Sequence, residues 1–169
     1  MVKEEKLFKF MHFSRFVKLV NNVKLSVFCK EGEDEELITK KLCEFVPFNL
    51  EEEKVGLGKS TAFGFGEKKI GILEIMLEKD RHMKKFIESL NSRLNEEQKA
   101  LIRLQADSRL DERLNFFLRF DKEKLVNEGT LWLTDSGNCF HIRINIAAFP
   151  RSREAALKIV GWIFNGMQS

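Results

Sequence analysis

Three groups of residues in this 169-residue chain have types and spacings that chemistry can use. The first is Gly58-Lys59-Ser60-Thr61, which invites a phosphate-loop reading because a glycine-rich turn closing in Lys-Ser at a helix start wraps a nucleotide's phosphates. The pattern fails on its own terms. Its first glycine falls at Glu53, no strand precedes it, and Ala62-Phe63-Gly64-Phe65-Gly66 after it is no helix. The second group is Ser136 and Cys139 beside His141. A nucleophile needs a base and an orienting group, and hairpin turns collect such residues for geometric reasons alone. His12, His82 and His141 stand far apart, and none has a partner at metal-ligand spacing. No catalytic residue, metal or cofactor is expected, and the chain reads as a non-enzyme.

The third group is larger and is built by alternation. If one side of three strands forms the core, the other side presents Lys24, Lys30, Arg113, Asn115, Arg119, His141, Arg143 and Asn145, with Phe28, Phe117 and Trp132 interleaved. Cations beside flat aromatic rings hold phosphate oxygens while bases stack, as many sheets do with single-stranded nucleic acid. A second basic set comes from a loop, Lys54, Lys59, Lys68 and Lys69, and from a helix face, Arg81, Lys84 and Lys85. Glu67 is the only acid between residues 54 and 69, so four lysines leave a local charge of +3 there. Such a patch supplies sequence-independent phosphate contacts that salt weakens.

The elements that must position these groups follow from apolar periodicity. Val23, Leu25, Val27 and Cys29 alternate as a strand, and Leu37, Ile38, Leu42, Phe45 and Val46 trace one stripe of a helix that Pro47 stops. Residues 51–69 read as a mobile basic loop. Ile70 to Leu77 reads as a strand buried on both faces. Asp80 is expected to cap a helix with Met83, Phe86, Ile87, Leu90 and Leu94 inward, and Asn95 with Gln98 forms a capping box for the next helix. Period two returns with Leu114, Phe116, Leu118 and Phe120, then over Thr130 to Thr134 and Cys139 to Phe149. Ser152 caps a last helix carrying Ala155, Ala156, Ile159, Val160, Ile163 and Phe164. The order βα, loop, βαα, βββα predicts an α+β fold: a single mixed or antiparallel sheet with helices packed on one face.

Composition agrees with one ordinary domain. The chain is 43% apolar and 33% charged with a net charge of +3, so attraction for a polyanion must be local rather than global. No apolar stretch approaches the roughly 18 residues of a membrane helix, and no membrane partner is expected. Met1 to Lys9 mixes acids and bases without a signal-like cleavage site, and the three cysteines are odd in number and widely spaced. A cytoplasmic location with reduced thiols is the expectation. Residues 1–21 read as an N-terminal extension and 22–169 as the domain.

Val27-Phe28-Cys29 followed by Glu33-Asp34-Glu35-Glu36, Gly64-Phe65-Gly66 before Ile70, and Asp111-Glu112-Arg113-Leu114-Asn115 leading to Leu118-Arg119-Phe120-Asp121-Lys122 stand in a distinctive order. With His141-Ile142-Arg143-Ile144 and Ala148-Phe149-Pro150, this order is similar to that of an archaeal RNA-binding, exosome-associated family, formerly a domain of unknown function. The chain departs from the family at Glu67-Lys68, where Asn and Pro are expected, and at Glu123-Lys124, where small or uncharged residues are expected. The resemblance implies a fold like that of the large-subunit ribosomal protein that holds 5S RNA. It also implies non-catalytic RNA binding, with exosome- or ribosome-related proteins as further partners.

The residues expected to contact RNA are Lys59, Lys68, Lys69, Lys84, Lys85, Arg113, Phe117, Arg119, His141 and Arg143. The alternative is an assembly subunit, a homodimer included, that covers Phe117 and Trp132 with another chain.

Overall fold

The computed structural model describes residues 18–165. Five strands form one sheet in the order β2-β3-β1-β5-β4, and every neighbouring pair is antiparallel. They are β1 (Val20–Lys30), β2 (Leu57–Phe63), β3 (Lys69–Leu77), β4 (Asn115–Asp121) and β5 (Cys139–Ile146). The helices are α1 (Glu35–Cys43), α2 (Asp80–Arg93), α3 (Glu96–Leu104) and α4 (Arg153–Phe164). The expected α+β layering is therefore realised with a wholly antiparallel sheet.

Alternation decides which side is covered. Val23, Leu25 and Val27 of β1, Leu73, Ile75 and Leu77 of β3, Phe116, Leu118 and Phe120 of β4, and Phe140, Ile142 and Ile144 of β5 are buried in one cluster with the inner stripes of the helices. Phe45 joins that core two residues beyond α1, its ring 5.8 Å from Phe120 and 5.7 Å from Phe140. Each fully buried phenylalanine contributes about 1.5–3 kcal/mol by leaving water, so cutting Phe120 to Ala costs about 3–5 kcal/mol once the cavity is counted.

Local signals end the helices as physical chemistry requires. Asp34 accepts from the Leu37 N–H at 3.0 Å, and Ser152 accepts from the Ala155 N–H at 3.2 Å. In the capping box of α3, Asn95 accepts from the Gln98 N–H at 2.8 Å and Gln98 from the Asn95 N–H at 3.0 Å. Asp80 is the first helical residue of α2 rather than its cap, a place held by Lys79 without a side-chain bond.

Three further expectations are corrected, and one element is new. The supposed loop contains β2, an edge strand that escapes a periodicity search because its side chains are largely exposed on both faces. A short 3-10 turn at Phe65–Glu67 joins it to β3. The strand β3 is buried on one face only: Ile70 and Ile72 are half-buried and Met76 is exposed on the other. The run from Thr130 to Thr134 makes an isolated bridge at Leu133 and lies along the outer edge of β4. That edge would otherwise offer unpaired backbone groups to other chains. Finally, a π-helical turn at Lys124–Glu128, which nothing in the periodicity announces, follows β4.

Charged groups inside the fold are paired. The Lys122 ammonium, 4% exposed, donates to the Phe28 carbonyl at 2.7 Å and to both Glu33 carboxylate oxygens at 3.0 and 2.9 Å. It thus fastens the end of β4 to the turn between β1 and α1. Buried His82 meets Glu53 at 2.8 Å and the Phe48 ring at 4.5 Å, which pins the segment before β2 to α2.

Candidate nucleic-acid interface

Strand register assembles the open face of the sheet from residues far apart in the chain. One row runs Ser26, His141, Arg119 across β1, β5 and β4, and the next runs Lys24, Arg143, Phe117. A third row holds Asn22, Asn145 and Asn115. Side chains directly opposed on one face stand about 5 Å apart, so these rows make one continuous surface. On it the Phe117 and His141 rings lie 5.3 Å apart at a tilt of 30°.

The cations of this face are unevenly compensated. Lys24 pairs with Glu74 of β3. The Arg119 Nη1 donates to the Asp135 backbone carbonyl at 3.1 Å, and the Arg143 Nη2 reaches Asn22 at 3.5 Å while its buried Nε has no partner. Among the described residues neither arginine has a carboxylate partner in an ion pair. Burial, and then the positive charge of Arg119, Arg143 and Lys24, push the His141 imidazole below its ordinary range. Of these three cations only Lys24 has a carboxylate partner among the described residues.

The outer border of the face belongs to residues that the sequence reading did not single out. The Arg109 carbonyl accepts from the Phe117 N–H at 2.9 Å, and its guanidinium donates to Gln105 Oε1 through Nε at 3.1 Å and Nη2 at 2.6 Å. Asp135 approaches the Arg109 Nη2 at 4.0 Å from the turn before β5. Between them and the Phe117–His141 ring pair opens a cleft of ≈ 400 Å³. Arg109 and Gln105 lie where the α3 periodicity has ended, so spacing carries no signal for them. Asp135 reads as one more turn residue.

The remaining expected contacts are placed elsewhere. Arg113 is exposed in the turn before β4, off the three rows, where its N–H donates to Asp111 at 2.9 Å. Asp111 also accepts from the Asn115 N–H and side chain, at 2.8 and 3.0 Å; these bonds outweigh burial and hold its carboxyl below the usual range. Lys59 stands opposite core residue Leu73, and Lys69 lies four residues before Leu73 on β3 and so on the same face, so both project to the helix-bearing side. Lys59 pairs with Glu35 at 2.8 Å, Lys84 with Glu88 at 4.0 Å, and Arg81 with Glu53. Lys68 lies in the hairpin turn and Lys85 on the exposed side of α2. Phe117, Arg119, His141 and Arg143 are thus brought together, and the five lysines lie apart from them.

Trp132 lies off the three rows too, its ring 5.9 Å from the Lys124 ammonium. Cys139 shares the strand face of His141, but burial pushes its thiol up and away from the reactive thiolate.

Comparison with known proteins agrees with this architecture. The chain is 26% identical over 140 residues to "RNA-binding protein PAB1135" of Pyrococcus abyssi, covering 83% of this chain and 90% of that one. Protein AF2318 from Archaeglobus fulgidus, solved as a DUF54 protein, superposes with a TM-score of 0.76 at 25% identity, over 85% of this chain and 99% of that one. Protein SSO0741 from Sulfolobus solfataricus, also DUF54, gives a TM-score of 0.67 at 25% identity, over 84% and 98%. A family profile described as RNA binding matches residues 22–146, from within β1 to the last residue of β5. Since that match takes in all five strands but for the first two residues of β1, the chain belongs to this RNA-binding family, the former DUF54.

Proposed function

We propose that this chain binds RNA without catalysis, and that the surface engaged is the open sheet face centred on Arg119, His141, Arg143 and Phe117. The observation that carries the reading is the pair of arginines that, among the described residues, have no carboxylate partner and flank a ring stack on the sheet face opposite the core helices. Guanidinium groups grip phosphate oxygens and aromatic rings accept bases, and neither contact requires a fixed sequence. The family match and the relative named an RNA-binding protein support the same ligand.

Binding to labelled RNA across a salt series tests the reading. Replacing Arg119 and Arg143 with Glu is expected to weaken binding and flatten its salt dependence while the melting temperature hardly moves. Unchanged binding excludes this face. The wider role in archaeal RNA processing, with exosome- or ribosome-related partners, and the likeness to the 5S-RNA-binding ribosomal protein are proposals on the strength of the resemblance. The cytoplasmic setting is a proposal too, and Cys29, Cys43 and Cys139 as free thiols suit a reducing compartment.

A second reading, assembly through the aromatic side of the sheet, is favoured by Phe28 and Trp132, which are 53% and 58% exposed. Light scattering separates it: a salt-insensitive dimer without RNA retention supports assembly instead.

A further inference from the structure

We infer that the cleft between the Phe117–His141 ring pair and the Asp135 turn receives one unstacked guanine base of single-stranded RNA, an inference that rests on the RNA-binding reading above. Duplex RNA keeps its bases inside and is held by phosphates and 2′-hydroxyls, so a cleft walled by an aromatic ring is of use only to a base that has left its stack. The cleft opens directly from the row that carries Arg143 and Phe117. A strand whose phosphates lie on the arginines therefore has a place for a neighbouring base.

The polar groups around the cleft select among the bases. Arg109 is half-buried, and its Nε and Nη2 are committed to Gln105, so it shapes the floor. Arg119 and Asp135 stand side by side at the rim, because one Arg119 nitrogen is bonded to the Asp135 backbone carbonyl. That leaves further Arg119 donors beside a carboxylate that is 93% exposed. Guanine offers two adjacent acceptors, O6 and N7, to an arginine, and two adjacent donors, N1–H and the 2-amino group, to a carboxylate. Cytosine has only the paired acceptors, and adenine and uracil have neither half of that two-plus-two set. Among the described residues neither ring nitrogen of His141 has a hydrogen-bond partner, which leaves the ring to stack with the base or to donate to it.

Fluorescence anisotropy with a labelled uridine heptamer, and with heptamers carrying one central guanine, inosine or adenine, tests the assignment. The guanine heptamer is expected to bind at least about fivefold more tightly than the uridine and adenine ones, with inosine, which lacks the 2-amino group, between them. Asp135→Asn is expected to bring the guanine heptamer down to the inosine one, because an amide cannot accept from both donors, while the Arg119 contact to O6 and N7 remains. Four equal affinities in the wild type, or a preference of guanine over inosine that survives Asp135→Asn, overturn the inference. Binding of duplex RNA with none of the heptamers retained overturns it while leaving RNA binding in place. Failure to retain any RNA at low salt overturns both readings.

Discussion

The molecule carries two basic regions of similar strength in sequence and opposite character in space. On the open face, Arg119 and Arg143 come from different strands, and register sets them beside each other and beside His141. On the helix-bearing side, Lys59, Arg81 and Lys84 each have an acid: Glu35, Glu53 and Glu88. The difference has a local cause. Residues four apart on a helix pair readily, and Glu35 at the start of α1 lies within reach of Lys59 on the edge strand. Across β5 and β4 the positions opposite His141 and Arg143 are Arg119 and Phe117, which offer no carboxylate. A count of cations therefore does not define a surface for a polyanion; what matters is which of them lack a counter-charge and stand together beside aromatic rings.

The largest test of this contrast is Arg119→Glu with Arg143→Glu, expected to lower affinity for single-stranded RNA on the order of a hundredfold at low salt. The slope of log affinity against log salt should become shallower by about 1.4, from two lost phosphate contacts. The matching change on the other side, Lys68, Lys69 and Lys85 to Glu, is expected to cost only about two- to threefold, through screened long-range repulsion. A loss as large as the first breaks the contrast and moves the contact surface to the hairpin and α2.

His141 sharpens the comparison by pH. Its folded pKa lies below the ordinary value of about 6.5, so the free protein is expected to lose stability as pH falls through and below that value, where the unfolded chain takes up the proton more readily. Bound phosphates reverse the surrounding charge and raise the same pKa, so affinity should climb several-fold between about pH 7.5 and pH 5.5. His141→Gln should flatten both profiles in titrations of binding and of denaturant midpoint.

The smallest effect belongs to the hairpin turn. Glu67 holds a φ of 60°, in the left-handed region that Asn tolerates better. Glu67→Asn is expected to stabilise by about 0.5 kcal/mol, visible as a rise of about 1–2 °C in melting temperature. It also removes an acid beside Lys68 and Lys69. Unchanged RNA affinity in this variant agrees with the contrast, and a marked gain counts against it.

Much of this was legible because burial imprints its own period. Val23 to Cys29 and Phe116 to Phe120 alternate since one face of each strand meets the core, and the same alternation set Arg119, His141 and Arg143 on a common side. The Asn95–Gln98 box was readable because both of its bonds lie within four residues. What escaped depends on contacts distant in sequence. The strand β2 is held by pairing with β3 and shows no apolar alternation of its own, so its glycines and lysines passed for a loop. Lys59 and Lys84 carry charge in sequence, but only folding decides that Glu35 reaches one of them and nothing in β4 or β5 does the same for Arg143. Arg109 became part of the border through its backbone bond to Phe117, a partner that no spacing rule nominates.

The place of β1 has a consequence for how the chain comes into being. It is the first strand of the described chain to be synthesised, yet it occupies the middle of the sheet, flanked by β3 and β5. Asn22 and Arg143, which meet across that seam, are 121 residues apart. Contacts so distant in sequence form slowly, and one flank of β1 stays bare until β5 has left the ribosome. A nascent chain that stops short of β5 therefore has neither a finished core nor the rows that carry the arginines, and stability and ligand capture arrive together in the final stage of folding.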